Sequence, residues 1–415
     1  MVLFQKYFKG DRVIWMVAMI ISIYSLLAVY SSAGQLAFKY KGGNTEYYLI
    51  QRFIMLAMGI SVMYVVHKIK YTVFSKLSVI GLIVSVPLLL VTLAMGSNIN
   101  DASRWLTIPG VPISFQTSDL AKLALIIYVA RALAKKQDDI KDLKLGFLPV
   151  AIPVVVVCAL ILPANFSTAA LLFMNCLFLM FVGRISMKHI GMLLGGAVAG
   201  FMFLILLSFA APKLLPRLQT WKSRVETFTG MKKENPEERQ QPGKFSIDED
   251  KYQIEYAKMA IAEGGIFGTG PGNNLNKYRL PQSYSDFIYA MIIGEYGLIF
   301  GGLMILLAYL ILLYRAIRIA TKSEYAFATF VAVGLSFSLV IQAFVNMCVA
   351  VNIFPVTGQP LPMVSMGGTS TLFTGITLGI VLSVSRTLNK EDEEKERALN
   401  RPENDNEKEE KYAVA

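Results

Sequence analysis

The chain has 415 residues, of which 54% are hydrophobic and only 17% charged, and its mean hydropathy is +0.51. Soluble domains average about 25% charged residues, so this composition excludes an ordinary soluble protein and indicates a membrane protein. The formal net charge of +11 does not indicate nucleic-acid binding, because the basic residues are spread over many loops.

Apolar runs of about 20 residues are long enough to cross a bilayer as helices. They predict an all-α, polytopic membrane protein with about ten transmembrane helices, at roughly residues 13–33, 49–67, 76–96, 115–134, 146–163, 166–183, 187–211, 287–314, 324–348 and 365–388. The first run lacks a small-residue cleavage pattern, so we expect a retained helix rather than a signal peptide. The three cysteines fall inside these runs and are expected to be small packing residues.

The distribution of positive charge over the short connections predicts the orientation in the membrane. If the N-terminus is cytoplasmic, the short outside connections hold only Lys39, Lys41 and Arg104. The inside connections hold many more basic residues: Lys68, Lys70, Lys76, Arg131, Lys135, Lys136, Lys141, Lys144, Arg184, Lys188, Arg315, Arg318, Lys322, Arg386 and Lys390. Ten spans then return the C-terminus to the cytoplasm. The predicted site of the protein is therefore the cytoplasmic (inner) membrane, with both termini inside.

Three parts follow from this orientation. We predict a cytoplasmic segment at residues 1–12, a ten-span membrane domain at 13–388 and a disordered, charged cytoplasmic tail at 389–415. The connection at 212–286, between spans 7 and 8, is then one large extracytoplasmic loop. Within it, the spacing of Ile254, Ala257 and Ile261 predicts a short amphipathic helix that ends near Gly264 and lies on the bundle.

Asp286 lies where this loop meets the apolar run that begins at Phe287. A carboxylate at the edge of a membrane is costly and therefore marks a candidate functional site. Glu295 follows nine residues later, so a continuous helix would place it about two and a half turns deeper, facing the interior of the bundle.

A second charged group opens the fourth span, in the run Gln116 to Lys122. Asp119 and Lys122 are three positions apart, so they share a helix face and can pair. Two interpretations stay open: a structural ion pair, or a lysine that faces a cavity and binds an anionic group. Arg104, in the preceding connection, is expected near the same opening.

Proline and glycine are concentrated before the last span, at residues 355–370. This composition at membrane depth predicts broken or re-entrant backbone, which is tolerated only where it is buried in protein or lines a cavity. Gln342 and Asn346, four positions apart in the ninth span, would share one face beside it. Glycine pairs at a spacing of four, Gly191/Gly195, Gly196/Gly200, Gly297/Gly301 and Gly375/Gly379, predict close helix packing.

Five of these segments, taken in order, resemble the SEDS family (shape, elongation, division and sporulation proteins of the FtsW/RodA type). They are residues 101–105, 116–122, 264–272, 280–288 and 355–370. Asp286 and Lys122 stand where the family has a carboxylate and a lysine. Four positions depart from the family pattern: Ser103, Asn165, Gln282 and Gly294.

The resemblance implies a glycosyltransferase that polymerises lipid II, an undecaprenyl-pyrophosphate-linked disaccharide-peptide, into peptidoglycan at the outer face of the membrane. Asp286 is then the base, or positions the acceptor hydroxyl, in an inverting displacement that needs only one carboxylate. Lys122 and Arg104 would stabilise the departing pyrophosphate. A divalent cation (Mg²⁺ or Mn²⁺) is a further candidate for this role, and no residue is assigned as its ligand. The remaining substrate-binding candidates are Gln116, Asp119, Glu295, Lys277, Ser365 and Ser370.

Other functions stay open at this point. A lipid II flippase or transporter would also need cavity-lining charges and broken helices, although the sequence shows no internal repeat. A scaffold that recruits wall enzymes would tolerate substitution of Asp286. Within the family, residues 8–15 resemble the division-type members more than the elongation type (RodA-like). The resemblance implies a class B penicillin-binding protein as partner, together with other division or elongation proteins.

Overall fold

The computed structural model describes residues 9–95, 97–99, 102–107, 114–210, 224–229, 249–280 and 283–399. Several sequence predictions therefore lie outside the described residues. These are most of the N-terminal segment, most of the charged part of the large loop, Gln282, and the tail from residue 400 onward.

The described part of the chain is almost entirely helical. Its helices are α1 (Arg12–Ser32), α2 (Gly34–Lys41), α3 (Thr45–Lys68), α4 (Tyr71–Met95), α5 (Thr117–Lys135), α6 (Leu148–Ile161), α7 (Phe166–Val182), α8 (Met187–Ala210), α9 (224–229), α10 (Glu249–Gly264), α11 (Ile288–Gly297), α12 (Met304–Lys322), α13 (Ala326–Ala350) and α14 (Gly368–Leu399). Two π-helical segments, Leu143–Phe147 and Leu298–Leu303, precede α6 and α12, and a 3₁₀ turn spans Leu275–Tyr278.

Eight helical stretches in the described residues are long and apolar enough to cross a membrane. Two further helices complete the bundle: α7, which is apolar but only 17 residues long, and α5, which carries four charged residues. These ten stretches correspond to the ten predicted runs, so the all-α, multi-pass class is confirmed. The chain is a multi-pass membrane protein.

A small antiparallel sheet joins α4 to α5 and was not predicted. Its strands are β1 (Ser97–Ile99), β2 (Ala102–Thr107) and β3 (Ser114–Gln116), in the order β1-β2-β3. Trp105 of β2 pairs with Gln116 of β3, which also precedes the first residue of α5. The sheet therefore fixes the start of the helix that carries Asp119 and Lys122.

Close helix packing occurs between α3 and α14. A Cβ atom on Gly375 would lie 2.3 Å from the carbonyl oxygen of Gly59, and one on Gly379 would lie 2.8 Å from Val66. The packing role of this glycine pair is confirmed. For the pairs in α8 the prediction is wrong among the described residues, because the Cβ positions of Gly191, Gly195, Gly196 and Gly200 have nothing within 4 Å.

The predicted eighth span is not one straight helix, because the backbone reverses at Gly297. This residue has φ +78° and ψ 176°, a conformation essentially restricted to glycine. A Cβ atom on Gly301 would lie 2.5 Å from the carbonyl oxygen of Ile292, whereas a straight helix would hold these residues about 13 Å apart. The Tyr289 hydroxyl likewise donates to the carbonyl of Gly302 at 3.0 Å. Helix α11 therefore folds back beside residues 298–303 as a helical hairpin.

The glycine-rich loop after α10 closes this hairpin. Thr269 and Gly270 donate backbone hydrogen bonds to the carbonyls of Gly294 and Glu295, at 3.1 and 2.9 Å. Gly268 has φ +86°, and a Cβ atom there would lie 2.2 Å from the carbonyl oxygen of Glu295. The backbone of the loop therefore lies directly against the hairpin. The predicted amphipathic helix is confirmed as α10.

The hairpin reverses the predicted depths of the two carboxylates. Glu295 lies beside Ser31, at the end of α1, because the Ser31 hydroxyl donates to its carboxylate. We call the end of the bundle where α1 stops the loop end. Asp286 precedes the first residue of α11, at the opposite end of this helix from Glu295, and is therefore farther from the loop end. The expectation that Glu295 is the deeper of the two is wrong, because α11 runs back toward the loop end of the bundle before the chain reverses at Gly297.

The predicted re-entrant backbone is confirmed between α13 and α14, where residues 351–367 form no helix. We call residues 355–367 the re-entrant segment. It reaches well below the end of α1, since the Ser25 hydroxyl donates to the carbonyl of Val364 at 2.8 Å. Tyr309 of α12 donates to the carbonyl of Pro362. Buried donors from several helices thus bind the carbonyls that a helix would otherwise satisfy.

Replacing Gly297 by alanine tests the hairpin. The added Cβ would lie 2.3 Å from the carbonyl oxygen of Ile266, and the backbone conformation disfavours any side chain. We expect Gly297→Ala to lower the free energy of unfolding by about 2 kcal/mol or more, measured as a reduced Tm in detergent. Gly196→Ala is the matched control, since its Cβ meets nothing within 4 Å, and it should leave the Tm nearly unchanged.

Candidate active site

Asp286 lies at the bottom of a short descent of the chain into the bundle. The Ser283 hydroxyl donates to the carbonyl of Ser32 at 3.1 Å, so the descent begins at the end of α1. Three residues later Asp286 is half-buried, and its Oδ1 accepts a hydrogen bond from the Ser285 hydroxyl at 2.9 Å. Its Oδ2 faces Gly358 of the re-entrant segment, 3.7 Å from the position of a Cβ atom there.

The backbone around Asp286 is held by the re-entrant segment. The Ser365 hydroxyl donates to the carbonyl of Ser285 at 2.6 Å and itself accepts from the amide of Leu361 at 2.8 Å. The amide of Met366 donates to the carbonyl of Tyr284 at 2.9 Å. Ser365, a predicted substrate-binding residue, is therefore buried in a supporting contact behind the carboxylate.

Asn346 of α13 joins the two segments. Its Nδ2 donates to the carbonyl of Asp286 at 2.9 Å and to the carbonyl of Gln359 at 2.8 Å. One turn earlier on the same helix, Gln342 Nε2 donates to the carbonyl of Pro360 at 3.0 Å. The shared face predicted for Gln342 and Asn346 thus binds two consecutive carbonyls of the re-entrant segment.

A small cavity that is partly open to solvent lies beside Gln342. Lys122 Nζ donates to Gln342 Oε1 at 3.0 Å and lies 3.4 Å from Asp119 Oδ1. Lys122 therefore pairs with Asp119, as one interpretation predicted, and it also lines a cavity; the binding of an anionic group there stays a prediction. The lining residues are Asp119, Lys122, Leu123, Ile126, Leu335, Ser338, Leu339, Gln342, Pro362, Ser370, Phe373, Thr374 and Thr377.

Ser370 and Gln116 occupy different places relative to this cavity. Ser370, in the first turn of α14, forms part of the wall. Gln116 precedes α5, and its Nε2 donates to the Ser118 hydroxyl at 2.9 Å, so it supports the start of that helix. Arg104 lies in β2, and its side chain is outside the described residues.

Glu295 and Lys277 form a separate group at the loop end. Glu295 is buried, and besides Ser31 its carboxylate accepts from the backbone amide of Gly272. Lys277 Nζ donates to the carbonyl of Gly272 at 2.6 Å and interacts electrostatically with Glu295. These contacts hold the glycine-rich loop against the hairpin, so the structure does not bring Glu295 and Lys277 together with Asp286.

Two departures from the family pattern have local explanations. Asn165 is the N-cap of α7, because its Oδ1 accepts from the amide of Thr168 at 3.2 Å, and asparagine fills this role as well as aspartate does. At Gly294, a Cβ atom would lie 2.5 Å from Asn274 Nδ2 and 2.8 Å from the carbonyl oxygen of Ala260. A glutamate does not fit there with α10 packed as it is.

The described residues contain no group of three or more His, Cys, Asp or Glu side chains that converge on one point. Asp119 lines the cavity, and its buried Oδ2 has no hydrogen-bond partner. Proteins often hold Mg²⁺ with one or two carboxylates plus substrate phosphates. Asp119 therefore fits the optional divalent cation as one protein ligand.

Arg52 is the residue in this region that sequence reasoning missed. It is 1% exposed, and its guanidinium contacts the re-entrant segment. The available signal was its position inside the apolar run at 49–67, since an arginine at membrane depth marks a candidate functional residue.

These features define a class of protein: a multi-pass helical membrane protein with a re-entrant segment between a carboxylate and a lysine-lined cavity. The chain belongs to the FtsW/RodA/SpoVE family of cell cycle proteins, whose family model matches residues 11–390.

Relatives with assigned names cover nearly the whole chain. A protein of Trichlorobacter lovleyi named "Probable peptidoglycan glycosyltransferase FtsW" is 31% identical over 91% of this chain and 93% of its own length. A Geobacter metallireducens protein of the same name is 32% identical over 91% and 95%. "Stage V sporulation protein E" of Bacillus subtilis is 29% identical over 91% and 97%.

Solved structures show the same fold. A chain of a peptidoglycan synthase complex superposes with a TM-score of 0.68 at 23% identity, covering 91% of this chain and 98% of that one. The rod shape determining protein RodA of Thermus thermophilus gives a TM-score of 0.62 at 21% identity, covering 91% and 97%.

Replacing Asn346 by aspartate tests how the site is held. The variant has nearly the same shape, but two carbonyls would face a carboxylate in place of a donor amide. We expect backbone amides at 283–288 and 356–366 to exchange hydrogen for deuterium faster than in the parent protein. Asn175→Asp is the matched control: Asn175 is also buried and donates to the carbonyl of Gly334 at 3.2 Å. It should leave exchange in both segments unchanged.

Proposed function

We propose that this chain is a peptidoglycan glycosyltransferase that polymerises lipid II, with Asp286 as its general base. The relatives named as glycosyltransferases are about 30% identical over more than nine-tenths of the chain, which supports the activity. The observation that carries the residue assignment is the position of Asp286. It is half-buried and held on its backbone side by Asn346, which lies one turn along α13 from Gln342, the residue that binds Lys122 of the cavity.

The reaction assigns one task to the carboxylate. The hydroxyl oxygen of the acceptor sugar attacks the anomeric carbon of the donor sugar, and the bond from that carbon to the pyrophosphate oxygen breaks. The proton of the hydroxyl passes to Asp286, and the lipid-linked pyrophosphate leaves with the electron pair. Pyrophosphate is a competent leaving group, so a single inverting displacement needs a base but no second carboxylate.

Charge around the leaving group comes from the cavity. Lys122 is held by Gln342 and Asp119, which orients its ammonium group before substrate binds. Lys122 and Asp119 carry opposite charges, so these two residues alone do not offset the negative charge of a pyrophosphate. We therefore assign further positive charge to Arg104 and to the optional divalent cation at Asp119. Ser370 is placed to contact the same group.

The setting of the reaction is also part of the proposal. The charge distribution supports cytoplasmic termini in the inner membrane, with the glycine-rich loop and the site at the outer face. The likeness to a chain of a peptidoglycan synthase complex, whose study concerns coordinated polymerization and crosslinking, supports a crosslinking penicillin-binding protein as partner. The names of the relatives favour a role in cell division over the elongation role.

Replacing Asp286 by asparagine tests the assignment. The variant keeps the shape of the side chain and the backbone contacts but has no base. We expect glycan synthesis from lipid II, measured by gel separation of the polymer in detergent, to fall by about 10²-fold or more. Asp138→Asn, in an exposed connection, is the matched control and should retain activity. Full activity of Asp286→Asn would contradict the assignment.

The same assay separates the remaining alternatives. Polymer formed in detergent, where no membrane barrier exists, excludes a protein that acts only as a flippase, and a scaffold would make no polymer. Glu295→Gln should retain a catalytic rate within about 10-fold of the parent, because the amide oxygen still accepts from Ser31 and Gly272. If Glu295→Gln loses activity while Asp286→Asn retains it, Glu295 is the base instead.

A further inference from the structure

Arg52 is a buried cation with an unusual set of partners. In addition to its contact with the re-entrant segment, its Nε donates to the Ser25 hydroxyl at 2.7 Å and its Nη1 to the Thr371 hydroxyl at 3.0 Å. Its Nη2 donates to the carbonyl of Met363 at 2.5 Å. All three acceptors are neutral oxygens. Because burying a charge without a counter-charge is costly, this arginine needs a role beyond packing.

The carbonyl that Arg52 binds belongs to a strained residue. Met363 has φ +60°, in the left-handed region that favours glycine. Such a conformation persists only where the surroundings enforce it, and it is frequent at functional sites. Neighbouring carbonyls are bound in the same way, Pro362 by Tyr309 and Val364 by Ser25. Ser25 also contacts Arg52, so the guanidinium organises this turn directly and through one hydroxyl.

The strained turn leads straight to the backbone of the candidate base. Ser365 and Met366, the second and third residues after Met363, bind the carbonyls of Ser285 and Tyr284. If the turn is displaced, Ser365 and Met366 move with it, and so do their hydrogen bonds to the backbone beside Asp286. The turn therefore connects Arg52, on α3, with Asp286. An error of about 1 Å in the position of a reacting group can cost about 10²-fold in rate.

We propose that Arg52 is a positioning residue, which holds the left-handed turn at Met363 so that Ser365 and Met366 fix Asp286 in its reactive place. This rests on the proposed function of Asp286. The alternative is that Arg52 binds the pyrophosphate of the substrate directly. The two differ in their dependence on Met363, because only the positioning role acts through the strained turn.

A double-mutant cycle with Arg52→Lys and Met363→Gly distinguishes them. Lysine keeps the charge but cannot bond three acceptors in the planar arrangement of a guanidinium. We expect Arg52→Lys to lower kcat for lipid II polymerisation by about 10- to 100-fold while KM changes by less than about 3-fold. Glycine adopts the left-handed conformation without strain, so Met363→Gly in the Arg52→Lys background should recover about 3-fold or more of kcat.

The contrary results are equally specific. A raised KM with no recovery by Met363→Gly would overturn the proposal in favour of direct substrate binding. Arg52→Gln provides a second replacement if the lysine variant is unstable. It should show the same recovery by Met363→Gly, because the role is hydrogen bonding to the turn rather than charge; no recovery there would also overturn the proposal.

Two controls separate the possible failures. Arg315 pairs with Asp11 at the far end of α12, so Arg315→Lys should lower the Tm without lowering kcat. If Arg52→Lys likewise changes only the Tm, Arg52 is structural and the proposal fails. Asp286→Asn in the same preparation tests the underlying function. If Asp286→Asn stays active, the assignment of Asp286 fails whatever the double-mutant cycle shows. If Asp286→Asn is inactive and the cycle shows no coupling between Arg52 and Met363, only the role of Arg52 is refuted.

Discussion

The site depends on one constraint: backbone that is not helical must find its hydrogen bonds inside the protein when it lies at membrane depth. Residues 355–367 meet this constraint with side chains from four helices, namely Ser25, Arg52, Tyr309, Gln342 and Asn346. Each of these contacts also fixes a position along the segment. The groups that make the segment stable in an apolar environment are therefore the groups that place Asp286 relative to Lys122. The same hydrogen bonds stabilise the segment and set the geometry of the site.

Much of this arrangement could be predicted from the sequence, because its signals are local. Apolar runs gave the ten spans, the proline and glycine content gave the re-entrant segment, and the spacing of Asp119 and Lys122 gave their pairing. The reversal at Gly297 could not be predicted in this way. The apolar stretch Ile288–Lys322 is continuous in composition, and the contacts that hold it as a hairpin, among them those of the glycine-rich loop, join residues that are distant in the sequence. The depth assigned to Glu295 was wrong for this reason.

The supporting residues were harder to predict than the chemical ones. Asp286 and Lys122 are charged residues at conspicuous positions, whereas Ser365 and Asn346 act through hydrogen bonds to backbone carbonyls that no local pattern reveals. Arg52 was detectable as a charge within an apolar run, but its partners come from α1, α14 and the re-entrant segment. The role of Arg52 therefore depends on the packing of these three elements around its side chain, which its neighbours in the sequence do not reveal.

The tight contact at Gly294 couples the sequence of the hairpin to the packing of α10. The hairpin carries a glycine where the family pattern has a glutamate, and the space of that side chain is filled by Asn274 and the backbone at Ala260. Asn274 also donates to the carbonyl of Ala260 at 3.2 Å, so the two positions form one packed unit. A single exchange at 294 would therefore meet a filled site. The contact at 260 is with a backbone oxygen, so a larger residue at 294 requires α10 itself to shift and not only an exchange of the side chain at 260.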